Sequence, residues 1–383
     1  MKTTLVFIKK ARNLITRISL YIKIKLGLLG IPKIIPFIGY SNGTSTFITG
    51  EVLEDNGISK PVEGQSKFRN FKAMVKRYFA DEFGGVKVLV KFQGESEIVT
   101  TNKFGVFNCI FHHNTNELPE TLWQKAYFEL HEKIHARQKS EIFEGEIMMI
   151  KNKPQFGVIS DIDDTILVSY ATNKLMKFRL MFFNNALTRM PFEGVSAFYE
   201  SLQRGTMLNG YNPLFYLSNS EWNLYDLLYE FVQFHRIPKG PLLLREMAIY
   251  FFRFWEMREY NKNHKLEKLR HIFTVFSDLN FILIGDSGQK DPDVYSRIIK
   301  EFPGRVLTVY IRDIGISRKT MRIQTISENV REEFDTEMVL VKDTEAAAKH
   351  AISNKYIMKW EFPKILEEKQ KDLEKSAVEV NVQ

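Results

Sequence analysis

The chain has 383 residues, 44% of them apolar, which is ordinary for a globular protein and leaves room for two domains. Its single cysteine, Cys109, excludes an internal disulfide, a cysteine zinc cage and an iron–sulfur cluster, and fits a reducing compartment such as the cytoplasm. The net charge of +8 belongs to the head alone: residues 1–50 hold eight Lys or Arg and no acid, and beyond them 46 basic residues meet 46 acidic ones. A basic face on a folded domain is not indicated, so nucleic acid is not an expected partner.

Residues 1–35 read as a basic amphipathic head. A helix over 5–26 puts Phe7, Ile8, Ala11, Leu14, Ile15, Ile18, Ile22 and Leu26 on one face, with Lys9, Lys10, Arg12, Arg17 and Lys23 around the other. No apolar run reaches the ~18 residues of a membrane span, and the basic residues interrupt any signal-peptide core. Two placements stay open. The head either lies in the surface of an anionic membrane through residues 1–30, making a cytoplasmic protein peripheral, or packs on the protein's own core.

Residues 36–150 read as a β-rich support domain. Phe71 to Phe83 suggests a helix stopped by Gly84-Gly85. Val86, Val88, Val90 and Phe92 alternate as a half-buried strand, Gly94 marks a turn, and strands follow at 97–101, 106–111, 122–130 and 145–150. Short strands at this spacing predict an antiparallel, sandwich-like domain. Cys109 falls in a strand as a buried thiol. His112 and His113 are adjacent, so in a strand they face opposite ways and make a poor metal pair.

Residues 151–362 change to apolar strands alternating with helices, the pattern of a parallel α/β sheet. Strands are expected at 157–160, 214–217, 281–284 and 306–311, with a helix over 265–276. Residues 363–383 form a charged tail, with Glu367–Glu374 as a solvated helix end. In a parallel sheet, ligands bind at the carboxyl ends of strands, and there the chain places its chemistry. Phe156–Ile159 leads into Ser160-Asp161-Ile162-Asp163-Asp164-Thr165, and Leu214–Leu217 into Ser218-Asn219-Ser220. His264-Lys265 opens a helix, and Phe281–Ile284 leads into Gly285-Asp286, with Asp291 five residues on. Three carboxylates within four positions need a cation or a proton to offset their repulsion, and a hard ion such as Mg²⁺ prefers carboxylate oxygen.

In this order, these residues resemble the four motifs of the haloacid dehalogenase superfamily of phosphotransferases: DxDx(T/V), Ser/Thr, Lys and a spaced pair of aspartates. A closer resemblance runs through FGVISDIDDTI, PFEGV, YLSNSEWNLYDLL, GPLLLRE, NHKLEKL, FILIGDSGQKDPDVY, PGRVLTVYIRD and DTEAAA. These are similar to the Mg²⁺-dependent phosphatidate phosphatases of the fungal actin-patch type and their bacterial relatives, whose β-domain is echoed by GYSNGTSTFITGEVL and VTTNKFGVF. Glu221 departs from the proline expected there.

The resemblance implies a haloacid dehalogenase-like, Rossmann-like parallel sheet flanked by helices, and a phosphatase acting on a phosphorylated lipid. Asp161 would be the nucleophile, forming an aspartyl-phosphate, and Asp163 the general acid and base. Asp161, the Asp163 carbonyl and Asp286 would hold Mg²⁺, with Asp291 orienting metal-bound water. Ser218 and Lys265 would bind phosphoryl oxygens, Lys262 or Lys268 being alternatives to Lys265. Thr165 would tether the loop and Asp164 support it as a turn or cap residue. Two stretches bear on substrate: a basic, apolar flap around Lys174–Phe183, and an aromatic insertion over Glu246–Tyr260 next to Arg245. The rival functions are the same chemistry on a soluble phosphometabolite and a lipid-binding module without activity.

Overall fold

The computed structural model describes residues 30–58, 66–78, 80–113, 121–150, 154–163, 165–166, 191–207, 211–245, 263–315 and 317–381. The predicted head helix, the flap, the aromatic insertion, Asp164 and Lys262 lie outside them. The chain divides into two compact units, residues 1–60 with 72–151, and residues 61–71 with 152–383. Among the described residues, no helix is long and apolar enough to cross a membrane.

The first unit is built on eight strands: β1 (Pro32–Pro36), β2 (Gly39–Ser41), β3 (Ser45–Glu54), β4 (Lys87–Phe92), β5 (Glu95–Thr100), β6 (Val106–His112), β7 (Trp123–Leu130) and β8 (Phe143–Met149). The predicted strands are present, antiparallel except where β2 pairs β8, and all eight join one hydrogen-bonded sheet. Strand β3 allows this because its ten residues are long enough to pair β6 on one side and β1 and β2 on the other. Alternation sends Val88, Val90 and Phe92 inward to meet Ile48, Phe107, Phe128 and Ile147 in one core. Gln93 and Gly94 connect β4 to β5 with φ of 50° and 84°, the left-handed pair that a two-residue hairpin turn of type I′ requires. Helix α1 (Lys67–Tyr78) starts and stops earlier than the sequence suggests. The backbone leaves it because Glu82 bridges Leu53 and the Phe83 amide donates to the Val52 carbonyl at 3.0 Å. His112 and His113 go to the hydroxyls of Ser45 and Thr46, at 3.0 and 2.8 Å.

The second unit carries β9 (Gly157–Asp161), β10 (Leu214–Glu221), β11 (Leu242–Arg245), β12 (Phe281–Asp286), β13 (Val306–Arg312) and β14 (Glu337–Val341). Every pairing is parallel, and the order across the sheet is β11-β10-β9-β12-β13-β14. The sheet therefore grows one way from β9 to β11, then restarts beside β9 with β12. This is the doubly wound order, whose reversal opens a crevice at the carboxyl ends of the two central strands. Strands β9 and β12 are buried along their whole length, as central strands covered on both faces must be.

The helices fall into two packed groups. One comprises α2 (Val195–Arg204), α7 (Thr344–Ser353) and α8 (Phe362–Asn381); the other comprises α4 (His264–Val275), α5 (Asp291–Glu301) and α6 (Ser317–Phe334), with α3 (Tyr225–Phe234) beside β11. The segment expected as a charged tail is α8, and one side of it is engaged. Ile365 is buried, Asp372 accepts from the Gly194 amide at 2.9 Å, and Lys369 pairs with Asp343 at 2.9 Å.

Candidate active site

Asp161 ends β9 and Asp286 ends β12, so the sheet order alone brings together two carboxylates about 120 residues apart in the chain, at the crevice. Ser218 lies near the end of β10, Lys265 is the second residue of α4, and Asp291 is the first residue of α5. A carboxylate at a helix N-terminus is favoured by the aligned peptide dipoles. Gly285 makes the fit possible: a Cβ there would lie 2.8 Å from the Asp291 side chain. Asp161, Asp286 and Asp291 are fully buried, and Asp163 nearly so.

Lys265 is the hub. Its ammonium donates to Asp161 Oδ1 and Asp291 Oδ1, both at 2.6 Å, and is itself only 6% exposed. Burial works against its charge, but Asp161 and Asp291 outweigh that and raise its pKa. Asp161 and Asp286 fare differently, because one ammonium faces several buried carboxylates. Burial first, then Asp291, pushes Asp161 well above the usual carboxylate range despite Lys265. Burial and Asp291 likewise raise Asp286 to about 7, although Lys265 and the amides of Gln289 and Gly288 oppose the shift. Those amides donate to Asp286 Oδ1 at 2.9 and 2.6 Å and shape the loop after β12. The pocket as it stands has too little positive charge.

Asp161, Asp286 and Asp291 each offer an oxygen within 4.8 Å of the others, a grouping able to hold a metal ion. Asp291 is otherwise engaged, however. Its Oδ1 takes the lysine, and its Oδ2 accepts from the Asp286 amide at 3.3 Å. The oxygens that converge are Asp161 Oδ2, the Asp163 carbonyl and Asp286 Oδ2, all within hydrogen-bonding distance of Gln289 Nε2. A nest of oxygens from two carboxylates and a carbonyl is the donor set a hard divalent cation takes. Sequence reading named these oxygens and missed Gln289, since a glutamine carries no charge signature; its place in the acidic loop Gly285–Asp291 was the available signal.

The other predicted residues are placed as follows. Ser218 Oγ donates to Asp163 Oδ2 at 3.0 Å and accepts from the Ser220 amide at 2.9 Å, so it holds the second aspartate. The Thr165 amide donates to the Ile162 carbonyl at 3.4 Å, whereas its buried hydroxyl has no hydrogen-bond partner among the described residues. Lys268 sits one turn beyond Lys265, 5.9 Å over the Trp222 ring, and is not in the cluster. Arg245 pairs with Glu221 at 2.7 Å, across the ends of β11 and β10. His264, next to Lys265, is buried, its Nε2 has no hydrogen-bond partner among the described residues, and burial lowers its pKa to about 3.

Fold and site together define a doubly wound α/β unit with a buried carboxylate–lysine cluster at its switch point. Residues 156–313 match the family model described as the catalytic domain of phosphatidate phosphatase APP1. The chain is 31% identical over 157 residues to phosphatidate phosphatase APP1 of Saccharomyces cerevisiae, which covers 41% of this chain and 25% of that protein. It is 29% identical over 158 residues to an uncharacterized protein of Schizosaccharomyces pombe, with the same coverage of 41% and 25%. The chain thus spans about a quarter of the length of the curated relatives it matches. Among solved structures, a carbohydrate acetylesterase from Xanthomonas citri aligns over 78% of this chain and 75% of its own at 10% identity, with a TM-score of 0.24. A likeness that slight bears on neither fold nor function.

Proposed function

We propose that the second unit is a Mg²⁺-dependent phosphatase of the haloacid dehalogenase type, and that it hydrolyses phosphatidate, or a related lipid phosphate, to diacylglycerol and phosphate. The observation that carries this reading is the convergence of Asp161, Asp163, Asp286, Asp291 and Lys265 at the switch point, within the segment that matches a phosphatase catalytic domain. The lipid substrate rests on that match and on the similarity to the yeast phosphatidate phosphatase. The basic amphipathic pattern of the head supports docking on an anionic membrane surface.

Asp161 attacks phosphorus; a carboxylate–phosphorus bond forms as the bond to the leaving alkoxide breaks. Lys265, held at Asp161 Oδ1, steers that carboxylate and faces the phosphoryl oxygens with positive charge. Asp163, kept in place by Ser218, gives its proton to the alkoxide. It then takes a proton from water, which attacks the aspartyl-phosphate, frees inorganic phosphate and restores Asp161. Asp161, the Asp163 carbonyl and Asp286 would hold Mg²⁺, which when bound supplies charge neutralisation between nucleophile and phosphate.

The test is phosphate release from phosphatidate in mixed micelles by the full chain and by Asp161→Asn, with Mg²⁺ and with chelator. Release by the wild type with Mg²⁺ alone, and none by a folded Asp161→Asn, is the expected result. Full activity of the variant overturns the mechanism. Release from soluble phosphate esters but not from lipid overturns the substrate.

A further inference from the structure

Gln289 belongs to no part of the reaction described so far, yet it occupies the centre of the site. Its Nε2 lies 3.2 Å from Asp161 Oδ2, 2.8 Å from the Asp163 carbonyl and 2.9 Å from Asp286 Oδ2. Its other end is fixed as well: Oε1 accepts from Asn219 Nδ2 at 2.9 Å. That bond keeps the NH₂ end, not the oxygen, turned to the acids. An amide nitrogen carries two hydrogens, so three acceptors around it exceed what it can satisfy with two straight bonds. What the three oxygens share is negative charge without enough positive charge to meet it.

We infer that Gln289 is an internal stand-in for the cation: its amide holds the three oxygens in the metal-free protein and withdraws when a divalent ion enters. The inference rests on the reading that these oxygens bind Mg²⁺. Mg²⁺ bonds to oxygen at about 2.0–2.1 Å, so an N–H donor directed at the same lone pairs cannot stay in place beside it. The exchange disturbs little. Gln289 is half-buried, and its neighbour Lys290 is exposed, so the side chain sits at the solvent edge and not among core residues. Withdrawal also frees Asn219, the residue next to Ser218, whose hydroxyl holds Asp163. Metal entry is thereby relayed to the strand that positions the proton-transfer group. The same contacts that calm the acidic cluster without metal compete with the metal, so the site exchanges its ion more readily than an open nest of the same oxygens.

The test is calorimetric titration of Mg²⁺ into the chelator-treated full chain, wild type and Gln289→Ala, with thermal melting in chelator and in saturating Mg²⁺. The variant should bind Mg²⁺ about tenfold more tightly, since hydrogen bonds to charged groups no longer have to be broken. It should melt lower than wild type in chelator and at nearly the same temperature in Mg²⁺. A second variant, Gln289→Glu, puts another carboxylate at the same point and should lower the metal-free melting temperature further while keeping Mg²⁺ binding. Weaker or unchanged Mg²⁺ affinity in Gln289→Ala overturns the stand-in and leaves the metal reading intact. Absence of Mg²⁺ binding to every form overturns both.

Discussion

Lys265 gives the site its sharpest prediction. Its ammonium meets two buried carboxylates at 2.6 Å each and is itself 6% exposed. With an effective dielectric near 20, each contact is worth about 6 kcal/mol of gross attraction. Desolvation of the ammonium and both carboxylates cancels much of that, so the gross figure is not the stability at stake. Replacement by methionine fills the same space and removes the charge. It leaves two buried carboxylates without their cation, a change that typically costs about 3–5 kcal/mol. Because the Lys265 pKa is raised, its contribution is fully present below the unfolded-state value of 10.5 and is lost only as pH rises through the folded value. The loss is therefore complete at pH 7.5.

Urea unfolding in chelator at pH 7.5 measures it, with Lys265→Met, Asp161→Asn and the double variant forming a cycle. Lys265→Met should lose about 3–5 kcal/mol. In the Asp161→Asn background it should lose at least ~1 kcal/mol less, because one of the stranded charges is already gone. A loss under about 1 kcal/mol, or strict additivity, would refute the view that this ammonium holds the acidic cluster together.

Two further predictions follow from groups outside the cluster. His264 is buried and its pKa lowered to about 3, so below pH 6.5 the unfolded chain takes up a proton that the folded chain refuses, and stability falls as pH drops from 6.5 toward 3. Between pH 7.5 and 4.5 the wild type should lose about 2–3 kcal/mol more than His264→Gln in urea unfolding; equal slopes would show that His264 charges without penalty in the fold. For the head, vesicle flotation of the full chain and of a form without residues 1–30 tests the interfacial reading: the full chain should float with anionic vesicles, more weakly at high salt, and failure to float sinks that reading.

How far the site was legible follows from where its parts lie. Asp161, Ser218 and Asp286 each come where an apolar run stops, and a parallel sheet puts its strand ends on one edge, so periodicity and topology rules suffice to find them. Lys265 is harder to single out, because Lys262 and Lys268 share its surroundings in the sequence; helix phase sets Lys268 apart by turning it to Trp222, and Lys262 lies outside the described residues. Strands β11 and β14 escaped notice because Leu242–Arg245 and Glu337–Val341 are short apolar runs, which periodicity cannot assign. Both are edge strands of the sheet, while the order that makes the crevice is set by β10, β9 and β12.

Gln289 and the Glu221–Arg245 pair were hidden for a different reason. Neither has meaning within its own segment. Gln289 matters because oxygens from β9, the loop after it and β12 meet at one nitrogen, and Glu221 because a register shift in β10 sets it opposite Arg245 of β11. Sequence pattern finds groups that carry chemistry at strand ends. It does not find a neutral amide whose importance lies in the oxygens that two distant segments bring to it.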